Sequence, residues 1–282
     1  MPVTYSPLRY PGGKTQLSSF VESLIKHNGL VGGVYVEPFA GGAGIAWHLL
    51  RNHIVENVVI NDLSVSIYSF WFAVLNHTVD FCEMIESTPI TIDQWYQQKD
   101  IQRQQVSGLE LGFSTFFLNR VNRSGIINAG VIGGKAQSGL YKLDCRFNKL
   151  DLIKKIQKIA SYSKQIQLSN LDAGDFLETK LTELGDHVLI NIDPPYYNKG
   201  KELYQNFFDH EDHVRLASII ANLDQRWMLT YDDTPEIYEL YKVFNPESFS
   251  LNYTAQIKRK GSELIVFSSR LRRKNNIGQL IA

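Results

Sequence analysis

Short apolar runs alternate along the chain with stretches whose apolar residues recur at helical spacing. The runs at 34–36, 58–61, 165–169, 188–192 and 227–231 predict strands. Val188, Leu189 and Ile190 follow one another without a polar break, as in a strand buried on both faces. Ile45, Leu49 and Leu50 mark one face of a helix over 43–52, and further helices are predicted over 64–76, 212–223 and 235–241. Runs at 249–256 and 263–269 flank Lys258-Arg259-Lys260-Gly261 and predict a closing antiparallel hairpin. Strands alternating with helices predict an α/β fold. It is a doubly wound, mostly parallel seven-stranded sheet with helices on both faces. Residues 78–150 break the rhythm, being more polar and holding the loop-like stretch 128–135. They predict a smaller, mainly helical inserted domain, with 1–77 and 151–282 forming the main one.

Composition narrows the picture only slightly. The chain has 282 residues, 44% hydrophobic and 21% charged, which is ordinary globular composition. Net charge is +0, so any nucleic-acid site must come from local clustering. Cys82 and Cys145 offer neither metal spacing nor a disulfide framework, which fits a reduced, cytosolic setting. No apolar signal core opens the chain, and no stretch approaches the roughly 20 apolar residues of a membrane helix.

Chemistry concentrates at strand ends. YVEPFAGGAG (35–44) joins a strand to a helix, and Gly41, Gly42 and Gly44 allow a tight turn with close ligand approach. Asp62 ends the next strand, 18 residues after Gly44, where a carboxylate accepts hydrogen bonds from ribose hydroxyls. Glu37 and Pro38 sit in the same turn. A carboxylate there would repel the pyrophosphate of a dinucleotide and attract a cationic amino-acid group. The expected ligand is a positively charged nucleoside, and S-adenosyl-L-methionine fits. The second stretch is NIDPPYY (191–197). Two prolines fix their own φ and push the preceding residue out of the helical region, so the strand must end in a stiff turn. Its carboxylate and rings suit a flat, polar substrate.

Taken together, RYPGGK (9–14), EPFAGGAG (37–44), IND (60–62), FLNRVNRSG (117–125), RFNK (146–149), GDF (174–176) and DPPY (193–196) form an ordered set. It resembles that of the adenine-specific DNA methyltransferases, in the DNA adenine methylase-like group with its alpha-type motif order. The resemblance implies a Rossmann-like catalytic domain and an inserted target-recognition domain. It also implies methyl transfer from S-adenosyl-L-methionine to N6 of a flipped-out adenine in double-stranded DNA, leaving S-adenosyl-L-homocysteine. Tyr10, Gly12 and Lys14 would close over the methionine end of the cofactor, with Lys14 pairing its carboxylate. Glu37, Pro38, Phe39, Ala40, Gly41, Gly42 and Gly44 would form the turn around it, and Asp62 would take the ribose. Asp175 would accept from the adenine amino group of the cofactor, and Phe176 would pack on its ring. Asp193 and the Pro194 carbonyl would accept from the two N–H bonds of the target amine, Pro195 holding that carbonyl in place. Tyr196 would stack on the rotated base.

Between Leu118 and Lys149, Arg120, Arg123, Lys135, Lys142, Arg146 and Lys149 face one acid, Asp144. This suits phosphate contact. Asn119, Arg120, Arg123, Ser124, Gly125, Lys135, Arg146, Asn148 and Lys149 are the expected DNA contacts, with Lys258 and Lys260 added from the hairpin. Arg123 stands where the family often has an aromatic residue. The resemblance implies no metal and no membrane. It implies a cytoplasmic, nucleoid-associated enzyme of bacterial or phage origin, monomeric or weakly dimeric. A cognate restriction endonuclease is an open partner. Rival readings are a same-fold methyltransferase acting on RNA or protein, and a catalytically silent DNA-binding relative. A nicotinamide-dependent oxidoreductase leaves the Asp-Pro-Pro-Tyr stretch unexplained.

Overall fold

A computed structural model describes residues 4–9, 14–198, 208–253 and 259–273. Tyr10, Gly12 and Lys258 lie outside the described residues, as does the side chain of Lys260. The helices are α1 (Ser18–His27), α2 (Gly44–Arg51), α3 (Val65–Asn76), α4 (Thr78–Ser87), α5 (Ile92–Gln104), α6 (Leu109–Val121), α7 (Lys149–Ala160), α8 (Ala173–Thr179), α9 (His210–Ala221) and α10 (Pro235–Tyr241). The strands are β1 (Val34–Glu37), β2 (Asn57–Asn61), β3 (Ile166–Ser169), β4 (Val188–Ile192), β5 (Arg226–Asp232), β6 (Glu247–Tyr253) and β7 (Arg259–Phe267).

One seven-stranded sheet has the order β3-β2-β1-β4-β5-β7-β6. The first five strands pair in parallel, and β7 runs antiparallel to both β5 and β6. The fold is the mixed α/β architecture expected from the sequence, and its closing hairpin begins earlier along both strands. Alternate residues feed two cores. Tyr35, Val58, Ile60, Leu189 and Met228 enter one, with α1 to α7 on that face. Val36, Val59, Ile190, Ile192 and Leu229 enter the other, under α8, α9 and α10. This period-two division of buried strands yields three layers.

Chain order reverses across the β1–β4 pair, since β2 and β3 lie outside β1 while β5 follows β4. Such switch points open a crevice beyond the carboxyl ends of the strands. Here those ends carry Glu37 and Asp193. Within residues 78–150, Phe81, Trp95, Phe113, Phe116, Phe117 and Phe147 share one apolar cluster with Phe70 and Trp71 of α3.

Candidate active site

The turn after β1 is held from behind. Gly41 (φ 46°) and Ala43 (φ 47°) are left-handed, which bends the chain sharply into α2. The buried indoles of Trp71 and Trp47 donate to the carbonyls of Gly41 (2.9 Å) and Gly42 (3.2 Å). These aromatic latches carry no motif and are invisible at short range. Gly44 is required for contact rather than bend. A Cβ there would stand 2.4 Å from Thr15 Oγ1, on the segment that brings Lys14 to the site. Fully buried Asn61 ties three strand ends together. Its Nδ2 donates to the carbonyls of Pro38 and Leu171, and its Oδ1 accepts from Ser169 and the Leu171 N–H.

Beside this turn lies a cavity of about 610 Å³, within the usual range for small-molecule sites. Asp62 lines it, accepting from the N–H groups of Gly41 and Ser64, both at 2.9 Å. Burial pushes its carboxyl up to about 6. Glu37 lines it too, accepts from Tyr35 Oη at 3.0 Å, and is pushed by burial up to about 8. Burial therefore favours its protonated form near neutral pH. Phe39 and Phe208 also line the cavity, edge to face at 6.0 Å. Phe208 and Asp172 are lining residues that the sequence reading missed.

Asp193 and Pro195 line the same cavity, whereas Pro194 and Tyr196 do not. Asp193 Oδ1 accepts from Thr230 Oγ1 at 2.8 Å and lies 3.3 Å from Lys14 Nζ. The turn is pinned by Asp232, whose carboxylate accepts from the N–H groups of Tyr197 and Asn198, each at 2.9 Å. Tyr196 is buried. Its hydroxyl donates to Glu263 at 2.6 Å and is also bonded by Lys14, whose ammonium sits 4.7 Å over the ring centroid.

Several expected site residues have other duties. Lys14 lines the cavity, with its ammonium buried between Asp193, Tyr196 and Glu263. Asp175 sits outside the cavity on α8 and pairs with Arg215 at 3.0 Å. Phe176 is fully buried in the core under α8, since helical spacing turns it inward. Asp172 and Ala173 hold the cavity wall instead, and Asp172 caps the helix through the N–H groups of Gly174 and Asp175.

The FLNRVNRSG stretch docks the N-terminal segment. Asn119 is buried, accepts from the Arg9 N–H (2.8 Å), and donates to the carbonyls of Arg9 (2.9 Å) and Gly125 (2.8 Å). Arg120 bonds the carbonyls of Pro7 and Arg146 and faces the cavity, with its guanidinium drawn down to about 10 by burial and then by Arg9. Ser124 is left-handed (φ 56°), and Arg123 is exposed away from the cavity lining. Arg146 lines the cavity, while exposed Lys135 lies over the Tyr96 ring. Asn148 caps α7, and Lys149 gives its ammonium to the carbonyls of Glu86 and Thr88. The last two, expected on DNA, are committed to the fold.

This geometry has family company. The chain is 24% identical over 262 residues to the Type II methyltransferase M.MjaIII of Methanocaldococcus jannaschii, covering 84% of this chain and 88% of that protein. It is 22% identical over 261 residues to the Type II methyltransferase M.CviBI of Paramecium bursaria Chlorella virus NC1A, covering 91% and 95%. An uncharacterized protein of known structure from Listeria monocytogenes serotype 4b superposes with a TM-score of 0.38 at 8% identity, over 93% of this chain and 71% of that one, a likeness too weak to carry an argument. The family model of the D12 class N6 adenine-specific DNA methyltransferases matches residues 10–255. A glycine turn, a partly buried acid just past the end of β2 and an Asp-Pro-Pro-Tyr turn thus meet in a chain that belongs to the D12 class of N6 adenine-specific DNA methyltransferases.

Proposed function

We propose that the protein methylates N6 of an adenine rotated out of double-stranded DNA, with S-adenosyl-L-methionine as the co-substrate consumed in each turnover. The observation that carries this reading is the meeting of the glycine turn and Asp193 in one cavity at the sheet's switch point. The donor set fits the co-substrate. Glu37 offers its buried carboxyl to an ammonium group, and Asp62 retains lone pairs for ribose hydroxyls. Phe39 and Phe208 flank the space for a purine, the duty expected of Phe176. When bound, the co-substrate supplies an electrophilic methyl group on a positively charged sulfur.

The chain's own residues do the rest. Asp193 engages Thr230 and Lys14 through Oδ1, so its Oδ2 is left for one N–H of the target amine. The Pro194 carbonyl takes the other. Two fixed acceptors make the amine lone pair more available for attack, which is preorganised electrostatic assistance. Asp232 keeps the turn from relaxing. Lys14 covers one face of the Tyr196 ring, which is buried behind the cavity lining, so the ring and its hydroxyl steady the turn from behind. Residues 78–150 supply the DNA-reading part, with Arg120 and Arg146 lining the cavity.

Labelled S-adenosylmethionine, mixed-sequence duplex DNA and nucleoside analysis test this directly. Label is expected in N6-methyladenine. Asp193→Ala abolishes transfer while only moderately weakening co-substrate binding. Label confined to 5-methylcytosine or to protein rejects the reading.

A further inference from the structure

Glu263 is buried on β7, at 1% exposure, and no sequence motif marks it. Its Oε1 accepts from the Tyr196 hydroxyl at 2.6 Å. Its Oε2 has no hydrogen-bond partner and lies 3.3 Å from Lys14 Nζ. Lys14 Nζ is also 3.3 Å from Asp193 Oδ1. One buried ammonium therefore bridges the carboxylate at the reacting amine and a second carboxylate behind it. One ammonium balances only one of these acids, so the cluster holds a surplus buried carboxylate, which is costly unless it can take up a proton.

We propose that Glu263 receives, through Lys14, the proton that the adenine amine sheds on methylation. This rests on the reading of the cavity as an adenine methylation site. In transfer, the N6 lone pair forms the N–C bond, the C–S bond breaks, and its electron pair stays on sulfur. The nitrogen is then cationic and loses one N–H proton to Asp193. Rotation of the protonated Asp193 carboxyl about its Cβ–Cγ bond turns that proton toward Lys14, which hands one of its own protons to Glu263 Oε2 and takes the one on Asp193. The sum is one proton moved from N6 to Glu263, with Lys14 again an ammonium and Asp193 again a carboxylate. Water entering after product release carries the proton back along the same path.

The surroundings suit a proton store. Burial raises the proton affinity of Glu263, while Lys14 and the Tyr196 hydroxyl oppose that rise and Asp193 adds to it. Across the ladder its register partners are Asp232 on β5 and Phe249 on β6. The Asp232 carboxylate is already engaged by the N–H groups of Tyr197 and Asn198.

Single-turnover transfer from the preformed ternary complex, followed together with a pH-indicator dye, tests the relay. In the wild type the bulk proton signal should lag N6-methyladenine formation, and the rate should fall on the acid side as Glu263 becomes protonated. Glu263→Gln should lose the lag and that acid limb, with transfer slower on the order of 10²-fold and co-substrate and DNA affinities unchanged. Tyr196→Phe keeps the ring but removes the hydroxyl, so the acid limb should move to higher pH. A wild-type proton signal in step with methylation overturns the relay. So does a Glu263→Gln protein with the wild-type rate and acid limb, or one whose defect is lost co-substrate binding. A wild type that makes no N6-methyladenine sinks the parent reading, and the relay with it.

Discussion

Glu37 shows how one buried residue couples ligand binding to pH. Its ordinary value of 4.5 is pushed up to about 8, chiefly by burial and with a contribution from Asp193, against relief from Tyr35. The free protein therefore carries a neutral carboxyl there at neutral pH. An ammonium group placed against it favours the ionised form, so binding must release a proton. The sign follows. Affinity for S-adenosylmethionine rises with pH through the neutral range and levels off above about 8. Calorimetry in buffers of different ionisation heat should detect proton release in the wild type near neutrality, and less of it in Glu37→Gln. Equal release from both proteins would move the ammonium group away from Glu37.

At the scale of elements, the docking of the N-terminal segment on α6 decides whether the site is complete. Gly125 has φ 78°, and a Cβ there would stand 2.0 Å from the Arg9 carbonyl oxygen. Neither the conformation nor the space tolerates a side chain. Gly125→Ala should release the Asn119–Arg9 pairing and, five residues on, displace Lys14 from Asp193. Transfer is expected to fall about tenfold or more, a loss of at least about 1.4 kcal/mol of transition-state stabilisation, while circular dichroism shows α6 intact. Retained activity would show that the segment reaches its place without this seat. The same contact explains what the sequence made legible. Strand ends and the glycine turn are local patterns, so Glu37, Asp62 and Asp193 could be placed from spacing alone. Lys14 could not, because its partner Glu263 is 249 positions away. Asn119 reads like a base-contacting residue, yet its partner lies 110 positions back in an irregular segment. Asp175 and Phe176 were set by motif position. A single turn of α8 rotates them out of the cavity and brings in Asp172, a neighbour three residues earlier.

For the molecule as a whole, a net charge of +0 gives no general pull toward DNA. The attraction must come from a local face, and Arg9, Arg120 and Arg146, which line the cavity, are the candidates for it. None of the three forms an ion pair with a carboxylate among the described residues. Lys149 belongs to the same basic stretch by sequence, but its ammonium is held by two backbone carbonyls. The two positions should therefore part company in salt titrations. Each phosphate contact contributes about 0.9 to the slope of log affinity against log salt on duplex DNA. Arg146→Ala should lower that slope by about one contact, equally for specific and unrelated sequences. Lys149→Ala should leave the slope unchanged and lower thermal stability instead, because the α7 N-terminus loses its tie to the end of α4. Arg120→Ala should do both, since that guanidinium faces the cavity while holding Pro7 and Arg146 in place. If Lys149→Ala moved the slope and Arg146→Ala did not, the DNA would have to approach from the α4–α7 side, and the arginine-lined cavity would not be its entrance.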